Sequence, residues 1–468
     1  MIAANDDYAQ FVESKLATHV ATGLTGGFDL SGYSLMPHQS DLTAWAIRRG
    51  RCAIFADTGL GKTRMQLAWA DVIHKVTGRD VLILAPLAVA AQTVAEGAEI
   101  GVTVTHCREL ADVKSGVNIT NYDRLHKFDA GRFGAVVLDE SSCIKHHDTK
   151  TLAQLLEAFA DTRFKLCATA TPAPNDWTEL GTHAEFLGVC SRVEMLSEYF
   201  VHDGGETQVW RLKGHARNQF WRWVSGWGAM VRKPSDLGHD DAAYDLPTLA
   251  VAEHTVTSTL QTDGQLFAFE AQTLSERRDA RKDSLAARVA ACADLVNADR
   301  EPWIVWCDLN AEADALKSAI PDAVEIRGPD DADTKERRLA DFADGRIRVL
   351  ITKPSIAGWG LNWQHCARMA FVGVTDSFEA YYQAVRRCWR FGQKREVQVH
   401  VFASELEGAV VANLKRKEAD AMAMSESLSA ETRDAVRAEV FGSARQSNPY
   451  NPRKPITAPS WLITEKAT

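Results

Sequence analysis

Residues 56–63, Ala-Asp-Thr-Gly-Leu-Gly-Lys-Thr, directly follow the apolar run Ala53-Ile54-Phe55 and decide the fold of this chain. Small residues at positions 56, 59 and 61 allow backbone N–H groups to close around an anion. An apolar strand before such a loop and a helix after it are typical of a phosphate-binding loop. The sequence therefore predicts a nucleotide site between a buried strand and a helix.

Individual residues of this loop have predicted roles. Lys62 is expected to place a point charge on the β- and γ-phosphates, and the Thr63 hydroxyl is expected to hold Mg²⁺. Thr58, Gly59 and Gly61 complete the predicted nucleotide contacts. A Gly-Lys-Thr triplet alone is usually a turn, but its position between a strand and a helix favours binding of ATP with Mg²⁺.

A second apolar run, residues 135–138, indicates the reaction because it ends in Asp139 and Glu140. The carboxyl ends of buried parallel strands form the edge at which ligands bind. Asp139 is predicted to hold Mg²⁺ through water, and Glu140 to orient and deprotonate the attacking water. The alternative is a solvated acidic pair at a strand end. A phosphate loop at domain spacing upstream favours catalysis.

The third signal is the string from Gln383 to Gln393, Gln-Ala-Val-Arg-Arg-Cys-Trp-Arg-Phe-Gly-Gln. Arg387 and Arg390 are three residues apart, so we expect both guanidinium groups on one helical face. There they would neutralise charge on a transferring phosphoryl group. A basic helix face is the alternative, and the glutamines at both ends of the string favour the catalytic interpretation. Arg386 falls outside this spacing and has no predicted role.

Together these elements resemble the motifs of superfamily 2 helicase and translocase ATPases of the Swi/Snf type, especially the compact DEAD/DEAH-like members found in bacteriophages. Further similar segments occur in the same order at residues 35–39, 84–87, 119–122, 168–172 and 358–362. The resemblance implies that Gln39 reads adenine, that Gly360 belongs to a second-lobe glycine element, and that Gln383, Arg387 and Arg390 complete the site from the second lobe. Ser142 departs from the family, which usually has His there.

Alternating strand and helix patterns predict an α/β protein, and the resemblance implies two RecA-like parallel-sheet lobes in tandem with a helical insertion after the first lobe. Strands are expected near 52–55, 81–85, 117–120, 135–138 and 165–168 in the first lobe, and near 303–307, 324–326, 348–352, 369–372 and 397–402 in the second. The expected divisions are a lead-in (1–30), the ATP-binding lobe (31–175), a Trp-rich helical protrusion (176–250), a charged linker (251–300), the second lobe with closing helices (301–442) and a Pro-rich tail (443–468).

Length and composition indicate the number of domains, the compartment and the state of the cysteines. A chain of 468 residues with 46% hydrophobic residues is long enough for two or three domains. No run is long enough to span a membrane, and the N-terminus lacks the layout of a signal peptide, so we expect a cytoplasmic protein, in a phage-infected host if the resemblance holds. Nine cysteines without a C-x-x-C pair indicate reduced thiols and no zinc site.

A net charge of −9 means that any nucleic-acid site is a local basic groove, with modest and salt-sensitive binding. Arg232 and Lys233 are candidates for phosphate contact. The tryptophans of the protrusion could stack on nucleic acid, but core packing is favoured. In the charged segment 276–282, a solvated helix face is favoured over a surface that tracks a backbone. The tail is a candidate for binding a protein partner.

Three functions remain open at this point. The first is an ATPase stimulated by double-stranded DNA that translocates on DNA or remodels DNA or protein–DNA complexes. The second is a strand-separating helicase on DNA or RNA, which Gln39 alone does not exclude. The third is a nucleotide-switched clamp without turnover. Glu140 and the two arginines argue against the clamp, and the string ending Gly392-Gln393 favours the first function.

Overall fold

A computed structural model of the chain describes residues 21–86, 89–145, 149–173, 176–202, 210–256, 282–357, 361–373 and 377–404, with residues 416, 429, 432–434 and 436–441. The predicted Gly360, residues 1–20 of the lead-in, nearly all of the charged segment 276–282 and the Pro-rich tail lie outside these described residues.

Seven strands form the first sheet. They are β1 (Arg51–Ala56), β2 (Asp80–Ala85), β3 (Val104–His106), β4 (Val117–Asn121), β5 (Phe133–Asp139), β6 (Phe164–Thr169) and β9 (Gly228–Val231). All neighbouring strands are parallel, in the order β3-β4-β2-β5-β6-β1-β9. β1, β2, β5 and β6 are almost entirely buried, as expected where helices cover both faces of a parallel sheet. The five strands predicted for this lobe are confirmed, and β3 and β9 are additional.

Helices of this part of the chain are α1 (Pro37–Arg49), α2 (Lys62–Thr77), α3 (Ala90–Glu99), α4 (Lys150–Ala158), α5 (Leu180–Leu187), α6 (Arg192–Tyr199) and α7 (Arg217–Ser225). Two hydrophobic clusters pack against the sheet. Trp221 and Trp227 are buried in one of them, and Trp177, Trp210 and Trp223 pack against it. The expectation that the tryptophans pack in the core is therefore confirmed. An antiparallel hairpin of β7 (Phe200–His202) and β8 (Trp210–Leu212) lies in the same stretch.

Six strands form the second sheet: β10 (Leu249–Val256), β11 (Trp303–Trp306), β12 (Ala323–Glu325), β13 (Val349–Thr352), β14 (Arg368–Phe371) and β15 (Val397–Ser404). They are all parallel, in the order β10-β15-β14-β11-β13-β12. Five of them match the predicted strands, whereas β10, which lies mostly within the expected linker 251–300, is an additional edge strand of this sheet. The tandem α/β fold is confirmed.

The second sheet is covered by α8 (Leu285–Ala298), α9 (Asn310–Ala319), α10 (Ala332–Ala343), α11 (Pro354–Ala357) and α12 (Phe378–Val385). A fully buried ion pair joins α8 to α9, where Arg288 Nη1 lies 2.8 Å from Glu312 Oε1. Two backbone N–H groups, of Asp308 and Leu309, donate to the second carboxylate oxygen. This pair is satisfied by hydrogen bonds, as a buried charge requires.

The described end of the chain returns to the first lobe. Val436 and Val440 are buried in the cluster that contains α1 and α2. Glu439 forms an ion pair with Arg49, and Arg437 Nε donates to the Asp236 carbonyl oxygen at 2.7 Å. Residues C-terminal to the second sheet therefore pack on the first lobe. Among the described residues, no helix has the length and apolar character needed to cross a membrane.

Candidate nucleotide site between the two lobes

The phosphate loop connects the end of β1 to the start of α2. Gly59 and Gly61 adopt φ angles of +94° and +80°, in the left-handed region that favours glycine. A Cβ atom on Gly61 would lie 2.2 Å from Gln39 Nε2, and one on Gly59 would lie 2.9 Å from the Cβ of Phe391. Position 59 is thus restricted by the second lobe as well as by its own backbone.

Lys62 is the first residue of α2 and points back into the loop. Its Nζ donates to the carbonyl oxygens of Ala56 at 2.9 Å and Asp57 at 3.5 Å. Burial lowers the pKa of its ammonium group, while the carboxylates of Glu140, Asp57 and Asp139 raise it. The lysine is therefore a desolvated cation facing the acidic end of β5, as a phosphate-binding lysine requires.

Asp139 ends β5, and Gln66 Nε2 of α2 donates to its Oδ1 at 2.7 Å. Burial and the neighbouring Glu140 raise the pKa of this carboxyl to about 7, against the opposing effects of Gln66 and Lys62. Tyr122 donates its hydroxyl to the Asp139 carbonyl oxygen at 2.7 Å. Asp139 is therefore held in place by Tyr122, which directly follows β4, and by Gln66 of α2.

Glu140 has a φ angle of +48°, a left-handed conformation that is uncommon for a residue with a side chain. The residue is buried and lines the cleft, and its Oε2 has no hydrogen-bond partner among the described residues. A strained backbone that holds an unpaired carboxylate oxygen in a cleft suits a group that must accept a proton from water.

The donor set fits Mg²⁺. The Thr63 hydroxyl and the Asp139 carboxylate both line the cleft, and they are the hard oxygen ligands that this ion prefers. Across the described part of the chain, no three His, Cys, Asp or Glu side chains group together as a protein-only metal site. A site of this kind would take its remaining ligands from substrate phosphates and water.

Arg387 and Arg390 do not lie on a helix, because α12 ends at Val385 and a turn follows it. The turn nevertheless brings the two guanidinium groups together, since Nη1 of each donates to the Leu361 carbonyl oxygen, at 3.3 and 3.1 Å. Gln383 holds Arg387 through its own carbonyl and side-chain oxygens, each at 2.8 Å. Gln383 also donates to the Thr171 hydroxyl at 3.3 Å, so it connects the arginines to the first lobe.

Burial and the charge of Arg387 lower the pKa of the Arg390 guanidinium to about 9. Burial also lowers the pKa of Arg387. The Arg390 Nε is buried without a hydrogen-bond partner among the described residues. Two adjacent, desolvated guanidinium groups can bind an anion, because a negative group stabilises their charged forms.

Both lobes line one cleft of about 810 Å³. Ten of the predicted residues line it: Gln39, Thr58, Gly59, Gly61, Lys62, Thr63, Asp139, Glu140, Arg387 and Arg390. Gln383 supports the cleft from behind rather than lining it, and Gly360 lies outside the described residues. Groups separated by more than 300 residues in sequence therefore share one cavity, as an inter-lobe nucleotide site requires.

Gln39 is tied to the backbone on both sides of its amide. Its Oε1 accepts from the Met36 N–H at 3.0 Å, and its Nε2 donates to the Leu60 carbonyl at 3.1 Å. Reading of adenine by Gln39 stays a prediction. Nearby, Tyr244 lines the same cleft, and its ring lies 4.8 Å from that of Phe391.

Several residues at the boundary between the lobes form contacts that the sequence did not predict. Arg386, which had no predicted role, forms a 2.8 Å ion pair with Asp57 of the phosphate loop. The Tyr382 hydroxyl donates to the same carboxylate at 3.0 Å. Glu379 of α12 pairs with Lys145, which follows the acidic run. The only sequence signal for these contacts was charge at helical spacing before the arginines, which does not identify a partner.

Ser142 stands where the resemblance leads us to expect a histidine, and a histidine from another element contacts the adjacent serine. Its hydroxyl is buried without a hydrogen-bond partner among the described residues, whereas the adjacent Ser141 Oγ lies 3.1 Å from His183 Nε2 of α5. Burial lowers the pKa of His183 to about 4, so this imidazole is neutral at physiological pH. A histidine thus contacts the acidic segment from another element.

The candidate phosphate contacts Arg232 and Lys233 follow β9 at the edge of the first sheet. The Asp57 N–H donates to the Val231 carbonyl oxygen at 2.9 Å, so these basic residues lie beside the phosphate loop. Lys233 Nζ is 3.4 Å from an Asp241 carboxylate oxygen, and its side chain is 58% exposed. Nucleic-acid contact by these residues stays a prediction.

Comparisons with known proteins give two family models, one on each lobe, and similarity to a solved structure. The family model described as an AAA domain matches residues 34–169, and the model described as a helicase conserved C-terminal domain matches residues 287–392. None of the curated protein sequences matches the chain. Among solved structures, the chain is similar to the SWI2/SNF2 ATPase core of Sulfolobus solfataricus in complex with double-stranded DNA. The identity is 16%, the match covers 88% of this chain and 99% of that one, and the TM-score is 0.40.

The two family matches fall on the two lobes, and the cleft between them holds the phosphate loop, the acidic pair and the arginines. The chain is a nucleic-acid-dependent ATPase with two parallel-sheet α/β lobes, one of which matches an AAA domain and the other a helicase conserved C-terminal domain. The predicted enzyme class is confirmed.

Proposed function

We propose that this ATPase is a Swi/Snf-type translocase on double-stranded DNA, which hydrolyses ATP between its lobes and uses the closing motion to move along DNA or remodel protein–DNA complexes. The observation that carries the proposal is the shared cleft, in which Lys62 and Glu140 of the first lobe face Arg387 and Arg390 of the second. A site assembled from both lobes links their relative motion to hydrolysis.

Each group has a distinct task in this reaction. Lys62 and the loop N–H groups bind the β- and γ-phosphates, and Thr63 and Asp139 would hold Mg²⁺, which supplies charge neutralisation to the phosphates when bound. Glu140 orients the attacking water and accepts its proton. Arg387 and Arg390 stabilise the charge that grows on the γ-phosphoryl group as it transfers.

Duplex DNA is proposed because of the string Gln383 to Gln393, which resembles Swi/Snf-type enzymes, together with the helicase-type second lobe. Each lobe would hold the phosphate backbone, and alternate closing and opening would advance the protein along it. Such contacts are mostly independent of base sequence, because phosphates carry no sequence information. The net charge of −9 confines the contact to a local basic surface.

Two alternatives have different consequences. A strand-separating helicase would share the same ATP site and would act on single strands or forked duplexes of DNA or RNA. A nucleotide-switched clamp would bind ATP without turnover, and the buried, unpaired Glu140 Oε2 beside the arginines argues against it.

Displacement of a fluorescent third strand from a DNA duplex tests the proposal. We expect ATP-dependent displacement by the natural protein, no displacement by the Glu140→Gln variant, and no separation of a forked duplex. Separation of the fork would identify a strand-separating helicase. Nucleotide-dependent DNA binding without displacement and without phosphate release would identify a clamp.

A further inference from the structure

One side of α12 and the residue that follows it face the first lobe. Glu379, Tyr382, Gln383 and Arg386 are spaced i, i+3, i+4 and i+7, so their side chains share a face. Each of them contacts the first lobe at Lys145, Asp57, Thr171 and again Asp57, respectively. This face joins the turn that carries Arg387 and Arg390 to the phosphate loop, to Lys145 and to Thr171.

Of these contacts, that of Arg386 with Asp57 is supported by the most hydrogen bonds. Its Nη2 donates to Asp57 Oδ2 at 2.8 Å, and its Nε donates to the Tyr382 hydroxyl at 3.1 Å. That hydroxyl donates in turn to Asp57 Oδ1 at 3.0 Å, which also accepts the Thr58 N–H at 2.6 Å. The guanidinium carbon lies 5.4 and 5.0 Å from the ring centres of Tyr382 and Trp389. Both oxygens of the Asp57 carboxylate are therefore hydrogen-bonded, one to the second lobe and the other to both lobes.

Burial and charge agree with a strong contact. The Arg386 side chain is 7% exposed. Burial alone would lower the pKa of its guanidinium, but the Asp57 carboxylate and Tyr382 outweigh burial and raise that pKa. Burial likewise opposes ionisation of Asp57, yet Arg386 and the Thr58 N–H lower the pKa of this carboxyl. Both partners are held in their charged forms.

A second ion pair, of opposite polarity, lies seven residues away on the same face. Glu379 of the second lobe pairs with Lys145 of the first, and the two side chains are 8% and 15% exposed. A shift of the lobes in one direction would bring Glu379 towards Asp57, and a shift in the other direction would bring Arg386 towards Lys145. Because either shift brings like charges together and like charges repel at close range, the two pairs together define a single register for closing the lobes.

We propose that Asp57, Tyr382 and Arg386 are positioning residues that lock the arginine turn onto the phosphate loop, so that Arg387 and Arg390 enter the cleft in register with the nucleotide. The inference rests on the proposed function of this cleft. Arg386 immediately precedes Arg387, so anchoring its side chain on Asp57 fixes the start of the turn. Asp57 belongs to the loop that carries Lys62, so closing the second lobe also fixes the loop.

A double-mutant cycle with Arg386→Ala and Asp57→Ala tests the inference. We expect each single variant to lose roughly 10²-fold in DNA-stimulated kcat, because misplacing catalytic groups by about 1 Å has an effect of this size. The Kd for a fluorescent ATP analogue should change less than threefold, since Lys62 and the loop N–H groups remain. The double variant should be no worse than either single one, because both remove the same contact.

Arg395→Ala is the matched control. Arg395 also pairs with a carboxylate, Glu301 at 2.5 Å, but on the exposed side of the second lobe, where both side chains are 45% exposed. It should keep nearly the full kcat. Additive losses in the cycle, or equal kcat for Arg386→Ala and Arg395→Ala, would overturn the proposal. Thermal unfolding of every variant separates loss of positioning from loss of the fold, and Arg386→Lys, which keeps the charge, should recover part of the rate.

Small-angle X-ray scattering provides a readout that does not need turnover. The Arg386→Ala protein should have a larger radius of gyration than the natural protein and the Arg395→Ala control. If the natural protein fails to hydrolyse ATP but this difference is present, the proposed function fails and the positioning role stands. If turnover is present and the Arg386→Ala protein is as compact and as active as the control, the positioning role fails alone.

Discussion

Replacing Arg390 by alanine removes a charge that acts across the lobe boundary. Arg390 lies in the turn after α12, and its Nη1 donates to the Leu361 carbonyl oxygen at 3.1 Å. Its Nε is buried without a hydrogen-bond partner among the described residues. Most of the proposed ATP contacts come from the first lobe, so the loss of Arg390 should affect the transition state more than the bound ground state.

The magnitude follows from the environment of this guanidinium. At a separation of about 4 Å and an effective dielectric constant of about 20, a unit charge interacts with another by roughly 4 kcal/mol. Since each ~1.4 kcal/mol changes a rate tenfold, we expect a loss of about 10³-fold in kcat. Burial and Arg387 lower the pKa of Arg390 to about 9, as expected for a group that water screens weakly.

Steady-state hydrolysis with saturating duplex DNA gives kcat and KM for Arg390→Ala and for the exposed Arg395→Ala control. We expect the first variant to lose kcat with KM changed less than threefold, and the control to stay near the natural rate. Equal rates for the two variants would contradict a catalytic role for Arg390, because Arg390 would then act as an ordinary surface cation. A change in KM alone would show that it binds ATP without acting on the transition state.

Three further predictions concern the residues that bind and hydrolyse ATP, the contact with DNA and the pH dependence of Mg²⁺ binding. Lys62→Ala should lose ATP binding, whereas Glu140→Gln should bind ATP, fail to hydrolyse it and remain on DNA, as measured by nucleotide-binding fluorescence and phosphate release. DNA affinity should fall on the order of 10³-fold between 50 and 200 mM salt if about six phosphates are contacted, as measured by fluorescence anisotropy. The pKa of Asp139, raised to about 7, means that Mg²⁺·nucleotide binding should strengthen as pH rises to about 7, level off above it and release a proton, as measured by calorimetry in two buffers.

The sign of the last effect follows from the raised pKa. Between the ordinary aspartate pKa near ~4 and about 7, folded Asp139 keeps a proton that the unfolded chain has lost, so its contribution to stability falls as pH rises through this range. Metal binding needs the ionised carboxylate and therefore gains over the same range. A binding enthalpy that is the same in both buffers would show that no proton is released and would contradict this prediction. Hydrolysis by Glu140→Gln at the natural rate, or salt-independent DNA binding, would contradict the other two predictions.

Much of the fold was predictable because its central strands are buried on both faces. The apolar runs ending at Phe55 and Leu138 have no reason to exist in a solvated strand, and their positions matched β1 and β5. β9 was missed because its four residues, Gly228–Val231, are short and follow a Trp-rich helix. Its partner β1 lies some 170 residues upstream, and no local pattern records that pairing.

The residues of the cleft likewise include some that local sequence predicts and some that it does not. Lys62, Asp139 and Arg387 were identifiable because their chemistry constrains local spacing. The contact of Arg386 with Asp57 was not, because it joins residues 329 positions apart. Spacing placed Arg387 and Arg390 on a helical face, whereas the structure converges them through a turn after α12. Local sequence thus indicated the groups that we expect to react, which the structure places in one cleft, and the packing of the two lobes decided which groups contact them.

Whether duplex DNA stimulates this ATPase is measured by its rate of ATP hydrolysis under four conditions: no nucleic acid, duplex DNA, single-stranded DNA and RNA. We expect a low basal rate and a strong increase with duplex DNA that exceeds the increase with single-stranded DNA or RNA. An equal or larger stimulation by single strands or RNA would contradict duplex translocation and favour a strand-separating helicase. A rate of zero under all four conditions, with ATP bound, would contradict the enzyme itself.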